Sequence, residues 1–260
     1  MAKIKEIIEY IETWAPLSLQ ADFDNCGLKL GETEKDVTGI LVTLDTNECV
    51  VKEAIEKNCN LIIEHHPSIF RAVKKLDYSL PLVKAMALAI ANNITIYSSH
   101  TNVDFCDGGL NDYVAKQMGL HNIHYISGPS DPRIGTLEKE TTLRDYAKEL
   151  SNIFNDKLIR TIGDLDKKIK TVAVVNGGGG SSEEDVLLAM REKADVFVTG
   201  DVKYNVARLS KDANYAIIQF GHYDSEQGFM PLMANKITQA FPNVTIHQAT
   251  TLLNPYNSEV

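Results

Sequence analysis

The sequence predicts an α/β protein made of two similar halves, and three observations carry that expectation. Short apolar runs alternate with amphipathic stretches along the chain, which is the pattern of buried strands and covering helices. The alternation restarts in the second half in the same order. The halves also close on matched spacings, His100-x-x-x-Asp104 and His222-x-x-x-Glu226, as an internal duplication would. With 260 residues, 44% of them hydrophobic, the chain can bury its cores without disulfides or metal staples.

The first element is a helix over residues 3–14, where Ile4, Ile7, Ile8, Ile11 and Trp14 share one face. Pro16 ends it. ADFDNCGLKLGE (21–32) reads as a loop because Asp, Asn and Gly punctuate it. TGILVTL (38–44) is a buried strand, followed by a helix over 46–58 with Thr46 as candidate N-cap. NLIIE (60–64) is a second strand that runs into His65-His66-Pro67. A helix over 79–92 follows, and then NITIYSS (93–99), a third strand that ends at His100. A helix over about 109–118 starts after Asp107-Gly108-Gly109.

In the second half, residues 142–154 read as helix and KTVAVVN (170–176) as strand. Gly177–Gly180, Ser181 and Ser182 then open a helix over about 182–193. DVFVT (195–199) is a strand ending at Gly200-Asp201, residues 202–210 are helical, and YAIIQF (215–220) is a strand ending at Gly221-His222. A helix over about 226–240 and a strand over 244–248 complete the chain.

Polar groups at the carboxyl ends of strands line the crevice where α/β sheets bind ligands. His65, His66, His100, His222 and Asp201 all fall at such ends. A lone His-His-Pro is an ordinary turn, and a lone His-x-x-x-Asp an ordinary surface spacing. Four of the seven histidines at matching tips point instead to a metal site; His121, His124 and His247 read as surface or structural. Imidazole and carboxylate suit zinc, iron or manganese. His65 and His66 are adjacent on extended backbone and point opposite ways, so two ions take one each more readily than one ion takes both. Asp104 or Glu226 is suited to bridge such a pair. His100 and Glu226 are the candidate catalytic groups, His100 because imidazole titrates near neutrality.

The net charge of −9, a pI near 5.3 and the lack of a Lys/Arg-rich run argue against duplex nucleic acid as a partner. No stretch has the length of a membrane span, and the amino terminus reads as an amphipathic helix and not as a signal peptide. Cys26, Cys49, Cys59 and Cys106 form no C-x-x-C pair. The expectation is therefore a cytoplasmic protein with reduced thiols and no membrane partner.

The segments DNCGLKLGE (24–32), LIIEHHPSIF (61–70), YSSHTNVD (97–104), TGDVKYN (199–205) and GHYDSE (221–226) resemble the NIF-three-like family, whose members are also called dinuclear metal-centre hexameric proteins or GTP cyclohydrolase I type 2 homologs. The resemblance runs over nearly the whole chain. It implies two interleaved α/β domains, here 1–126 plus 219–260 for the first and 127–218 for the second. It also implies two divalent ions per subunit, with ligands at His65, His66, Asp104, His222 and Glu226 and His100 in the same pocket. The assembly it implies is a homohexamer, a trimer of dimers. The family often carries a histidine where this chain has Asn205.

Two ions so held imply metal-assisted hydrolysis of a nucleotide-like or phosphorylated small molecule, with GTP ring opening as the family's named case. The alternative expectation is a non-catalytic metal-binding regulatory or interaction protein. The glycine run at 177–180 offers backbone N–H groups to a phosphate but lacks the lysine of a phosphate-binding loop, so a flexible turn is the plainer reading. Lys203 and Tyr204 either meet substrate or lie on a solvated helix face. Cys26 and Cys106 read as structural.

Overall fold

The computed structural model describes residues 2–251 and 254–256. Helix α1 (Ile4–Trp14) buries Ile4, Ile7, Ile8 and Ile11, the i, i+3, i+4, i+7 stripe that the spacing predicts. The Lys3 backbone N–H donates to Glu6 Oε2 at 2.7 Å and satisfies an otherwise unpaired first-turn donor. Strand β1 (Gly27–Leu30) follows, where the sequence reads as loop. It is short, partly exposed and flanked by two glycines in the left-handed region, so it carries no apolar run. Gly31 is required at its end, because a Cβ there would lie 2.7 Å from Thr95 Cα.

Strand β2 (Ile40–Thr43) is wholly buried. Helix α2 (Glu48–Glu56) is capped by Asn47, whose side chain accepts from the Val50 N–H at 3.0 Å. The cap falls one residue after the expected Thr46, because Asn47 rather than Thr46 presents its side-chain oxygen to the free N–H groups. Strand β3 (Leu61–Glu64), helix α3 (Pro81–Ala91, with proline in its first turn), strand β4 (Thr95–Ser98) and the short helix α4 (Thr101–Phe105) follow. Leu61, Ile62 and Ile63 are fully buried, about 2 kcal/mol of apolar stabilisation each.

Helix α5 (Leu110–Gln117) precedes two antiparallel strands, β5 (His121–Tyr125) and β6 (Arg133–Thr142). Helix α6 (Leu143–Ile153) is capped by Thr142, which accepts from the Asp145 N–H. Strands β7 (Arg160–Ile162) and β8 (Lys168–Val175) lead into a 3-10 turn at Gly177–Ser181. Then come α7 (Glu183–Arg191), β9 (Val196–Thr199), α8 (Tyr204–Asp212), β10 (Ala216–Gln219) and α9 (His222–Glu226). Last among the described elements come α10 (Phe229–Ala240) and β11 (Ile246–Gln248). Among the described residues no helix is long and apolar enough to cross a membrane.

Two compact units result, each with its own sheet. The first is Met1–Asp107 with Phe229–Leu253, and the second is Gly108–Gly228 with Asn254–Val260. The chain leaves the first unit and returns to it, so the units are interleaved. Their boundaries differ from those expected at 126/127 and 218/219. Strand β5 pairs with β6 and so belongs to the second sheet, and α9 follows β10 of that same sheet. His222 and Glu226 are therefore residues of the second unit.

The first sheet has the order β1-β4-β3-β2-β11 and the second β5-β6-β8-β9-β10-β7. In the first, β2, β3 and β4 are parallel and β1 runs antiparallel on β4. In the second, β8, β9 and β10 are parallel and β7 runs antiparallel on β10. The element series α1-β1-β2-α2-β3-α3-β4-α4 recurs as α6-β7-β8-α7-β9-α8-β10-α9. Duplication thus extends from the matched histidine spacings to the whole connectivity.

Register decides where the site falls. Thr43, Glu64 and Ser98 lie level across the first sheet, so the positions two residues on, Asp45, His66 and His100, leave its carboxyl edge together. Val175, Thr199 and Gln219 are level across the second, and the same step reaches Gly177, Asp201 and Gly221, with His222 next.

Candidate metal centre

In the first unit His65, His66 and His100 come together, with one ring nitrogen from each within 4.8 Å of the others. Their ring centroids are 5.0–5.5 Å apart. His65 is fully buried at the end of β3, stacked on Phe229 at 4.7 Å. Its Nδ1 lies 2.9 Å from the Ser99 carbonyl, which can only accept, so Nδ1 carries the hydrogen and Nε2 the lone pair. Asp104, on α4, places Oδ1 3.7 Å from that Nε2.

The other two rings are held in the same way. His66 Nδ1 donates to Asp45 Oδ1 at 3.0 Å, and His100 Nδ1 donates to Asp24 Oδ1 at 2.9 Å. Each ring is thereby fixed in orientation and tautomer with Nε2 as the atom that could take a metal, an arrangement shared with metal-binding histidines backed by a carboxylate or carbonyl. Asp24 also accepts from the backbone N–H and the hydroxyl of Thr101 and from Cys26 Sγ. Burial pushes the Asp24 carboxyl up, but the hydrogen bonds from His100, Thr101 and Cys26 outweigh it, so the group stays well below the usual carboxylate range. Glu64, buried one residue before His65, accepts from the Ser68 N–H at 2.7 Å and Ser98 Oγ at 2.6 Å, which fixes the turn carrying both histidines.

The second unit repeats the device at the start of α9. His222 Nδ1 donates to Asp201 Oδ2 at 2.7 Å, and its Nε2 lies 3.0 Å from Glu226 Oε2, one helical turn on. With the ring neutral, imidazole nitrogen and carboxylate form a two-donor claw for a cation; with the ring protonated they form an ion pair. Asp201 sits at φ +48°, a left-handed conformation that aspartate tolerates better than most residues. Gly177 is in the left-handed region too, and a Cβ on it would fall 1.9 Å from Glu226 Oε1 and 3.3 Å from His222 Nε2. Its N–H donates to Ser225 Oγ. The glycine run is therefore packing that leaves room for the claw. Gly180 N–H donates to Gly200 O and Gly179 N–H to Asn176 O, so the run is not an open phosphate cradle.

Six sequence-expected ligands are thus placed, with His65, His66, His100 and Asp104 grouped in the first unit and His222 with Glu226 in the second. Sequence reasoning missed Asp24 and Asp45 as orienting carboxylates, and Asp201 was marked only as a strand-tip residue. Their signal is positional, since Asp45 and Asp201 each follow a strand end by the same two residues as a partner histidine or glycine. Lys203 caps the start of α8 and Tyr204 opens it, and both are exposed to solvent. Asn205 donates to Glu183 on α7 and takes no part in either histidine group. His121, His124 and His247 lie on β5 and β11, outside the site. The Cys26 thiol is pushed up to about 12, first by burial, and stays protonated. A cavity of about 450 Å³ in the second unit has His222 and Asp201 on its wall, with Lys157 and Arg160 among its other lining residues. Its size suits a small molecule.

Comparison with known proteins places these features in a family context. The model of the family described as Duf34/NIF3 (NGG1p interacting factor 3) matches residues 2–255. A Clostridium acetobutylicum protein named GTP cyclohydrolase 1 type 2 homolog is 35% identical over 252 residues, covering 94% of this chain and 93% of its own. A solved Bacillus cereus protein described as related to NIF3 superposes with a TM-score of 0.90 at 25% identity, over 98% of this chain and 99% of its own. A solved Staphylococcus aureus protein gives a TM-score of 0.90 at 28% identity over 98% of both chains.

Proposed function

The chain belongs to the Duf34/NIF3 family, and from that premise we propose that it holds two divalent metal ions and hydrolyses a nucleotide-like or phosphorylated small molecule. The ligands in this reading are His65, His66, His100 and Asp104 of the first unit and His222 and Glu226 of the second. The observation that carries it is the three-imidazole cluster, in which every ring is anchored through Nδ1 to an acceptor and offers Nε2. A buried core histidine needs no such common tautomer. Imidazole with carboxylate fits zinc, iron or manganese.

Bound as a pair, such ions polarise substrate oxygens and lower the pKa of water. The chain's own residues do the rest. Asp45, Asp24 and Asp201 keep His66, His100 and His222 in one tautomer and orientation. A lone pair given to a metal cannot also take a proton, so Glu226 and His100 hold or pass a proton only where they do not ligate an ion. The relatives' name, GTP cyclohydrolase 1 type 2 homolog, supports a nucleotide as the first substrate to test. A homohexamer is the assembly this reading proposes, and light scattering on purified protein tests it.

The deciding experiment loads the protein with manganese, iron or zinc, counts bound ions by elemental analysis, and measures GTP turnover beside a His66→Ala control. Near two ions per chain and turnover lost in the control support the reading. Fewer than about one ion per chain after reconstitution overturns the paired site. Two ions without turnover above the control leave a metal protein that is not this hydrolase.

A further inference from the structure

The first unit carries two large apolar rings in water beside the histidine cluster. Phe23 is 68% exposed and Phe70 39% exposed. Their centroids are 6.5 Å apart with planes tilted by 47°. Phe70 meets the His100 ring edge-on at 6.4 Å. From these positions we propose that Phe23 and Phe70 form an aromatic platform that stacks the flat heterocyclic ring of the substrate beside the metal ligands. The proposal deepens the hydrolase reading and rests on it for the identity of the ligand as substrate.

The rings are held by the same network that orients the histidines. Asn25 Nδ2 donates to the Ile69 carbonyl at 2.5 Å and ties the loop of Phe23 to the loop of Phe70. Asp24, between Phe23 and Asn25, grips His100 and Thr101. The Ala21 N–H donates to Thr101 Oγ1 at 2.9 Å, and the Cys26 N–H to Gln20 Oε1 at 2.9 Å. The loop of Phe23 is therefore tied down on either side of its ring, and that of Phe70 at the residue before it. A pre-positioned ring loses little freedom when a planar ligand stacks on it, which favours binding.

Charge points to the same ligand class. The segment after Phe70 carries Arg71, Lys74 and Lys75, all exposed, in a chain whose net charge is −9. Lys75 pairs with Asp77 at 3.6 Å, while Arg71 and Lys74 extend the positive stretch. Aromatic rings next to cations fit a nucleobase joined to a phosphate, since every base has a face to stack and a phosphate draws Lys and Arg. A second copy of the chain is the competing occupant, and the test separates the two.

The test uses full-length protein, metal-free and metal-loaded, and 2-aminopurine riboside triphosphate, whose fluorescence falls on stacking. The variants are Phe23→Leu with Phe70→Leu, which keeps apolar bulk, and Phe23→Trp with Phe70→Trp, which keeps aromaticity. Tripolyphosphate is the ringless control. The expected result is saturable quenching in the wild type, affinity weakened about tenfold or more by the leucine pair, and recovery in the tryptophan pair. Tripolyphosphate affinity stays unchanged in all three. Leucine variants that bind the probe like wild type, or a wild type that does not quench, overturn the platform. A fall in particle mass by light scattering with quenching unaffected also overturns it, and assigns the rings to contact between copies. Metal counts are read separately. Quenching that depends on the rings in protein that takes up no metal sinks the metal reading and leaves the platform standing.

Discussion

Replacing Gly177 with alanine puts a methyl group into the space occupied by the second unit's carboxylate. The Cβ would lie 1.9 Å from Glu226 Oε1, so that oxygen must retreat by about 1 Å to reach even a tight contact. Glu226 Oε2 is 3.0 Å from His222 Nε2, and the retreat disturbs that spacing. The backbone adds its own cost, since φ is +55° and alanine in the left-handed region loses about 1–2 kcal/mol. A displaced carboxylate with strained torsions adds about 1–2 kcal/mol. The sum of about 2–4 kcal/mol corresponds to a melting temperature lower by roughly 5–12 °C in a chain of this size. Gly178→Ala is the control, because its Cβ meets only His222 Cε1 at 3.8 Å, an ordinary contact. Thermal melting and elemental analysis read both variants. Gly177→Ala should melt lower and retain less metal, while Gly178→Ala resembles wild type. Equal melting and equal metal content in the two would show that the glycine does not make room for the claw.

Asp201→Asn keeps a residue that tolerates φ +48° but removes the charge behind His222, and should weaken metal affinity about tenfold or more in a competition titration with a chelating dye. Glu53, 3% exposed, accepts from Lys57, Thr250 and Thr251. Burial pushes its carboxyl up, and those bonds prevail to bring it down to about 2. A lowered folded-state pKa stabilises above the unfolded value of about 4.3 and ceases to do so as pH falls through the folded value. Glu53→Gln should therefore cost about 1–3 kcal/mol at neutral pH, and the gap to wild type in pH-dependent melting should close between about pH 4.5 and 2. Arg133, 1% exposed, is paired with Asp112 and donates to the Pro129 carbonyl at 2.9 Å. Arg133→Ala leaves Asp112 uncompensated and should lower stability by about 3–5 kcal/mol in denaturant unfolding.

The strands and helices with strong periodicity were legible because burial dictates their composition. Ile40–Thr43, Leu61–Glu64 and Val196–Thr199 are buried along their whole length and read as apolar runs. Strand β5 exposes four of its five residues, and β1 lies between left-handed glycines, so neither has an alternation to detect. The candidate metal-holding residues were legible as histidines and carboxylates at or just beyond strand tips. The carboxylates behind them were harder, since Asp24 lies 76 residues from His100 and Asp45 lies 21 from His66, and only the folded chain brings them together. The domain boundary was misplaced because α9 follows a strand of the second sheet, a fact that strand order decides and local pattern does not.

The late return of the chain has a consequence for biosynthesis. Strand β11 pairs with β2, and Thr250 and Thr251 close onto Glu53, yet some two hundred residues separate these partners. During translation the amino-terminal sheet waits with β2 as an open edge until β11 leaves the ribosome, while most of the second unit has already been made. Unpaired strand edges invite association with other chains, so this waiting period is when nascent polypeptides most need shielding by chaperones.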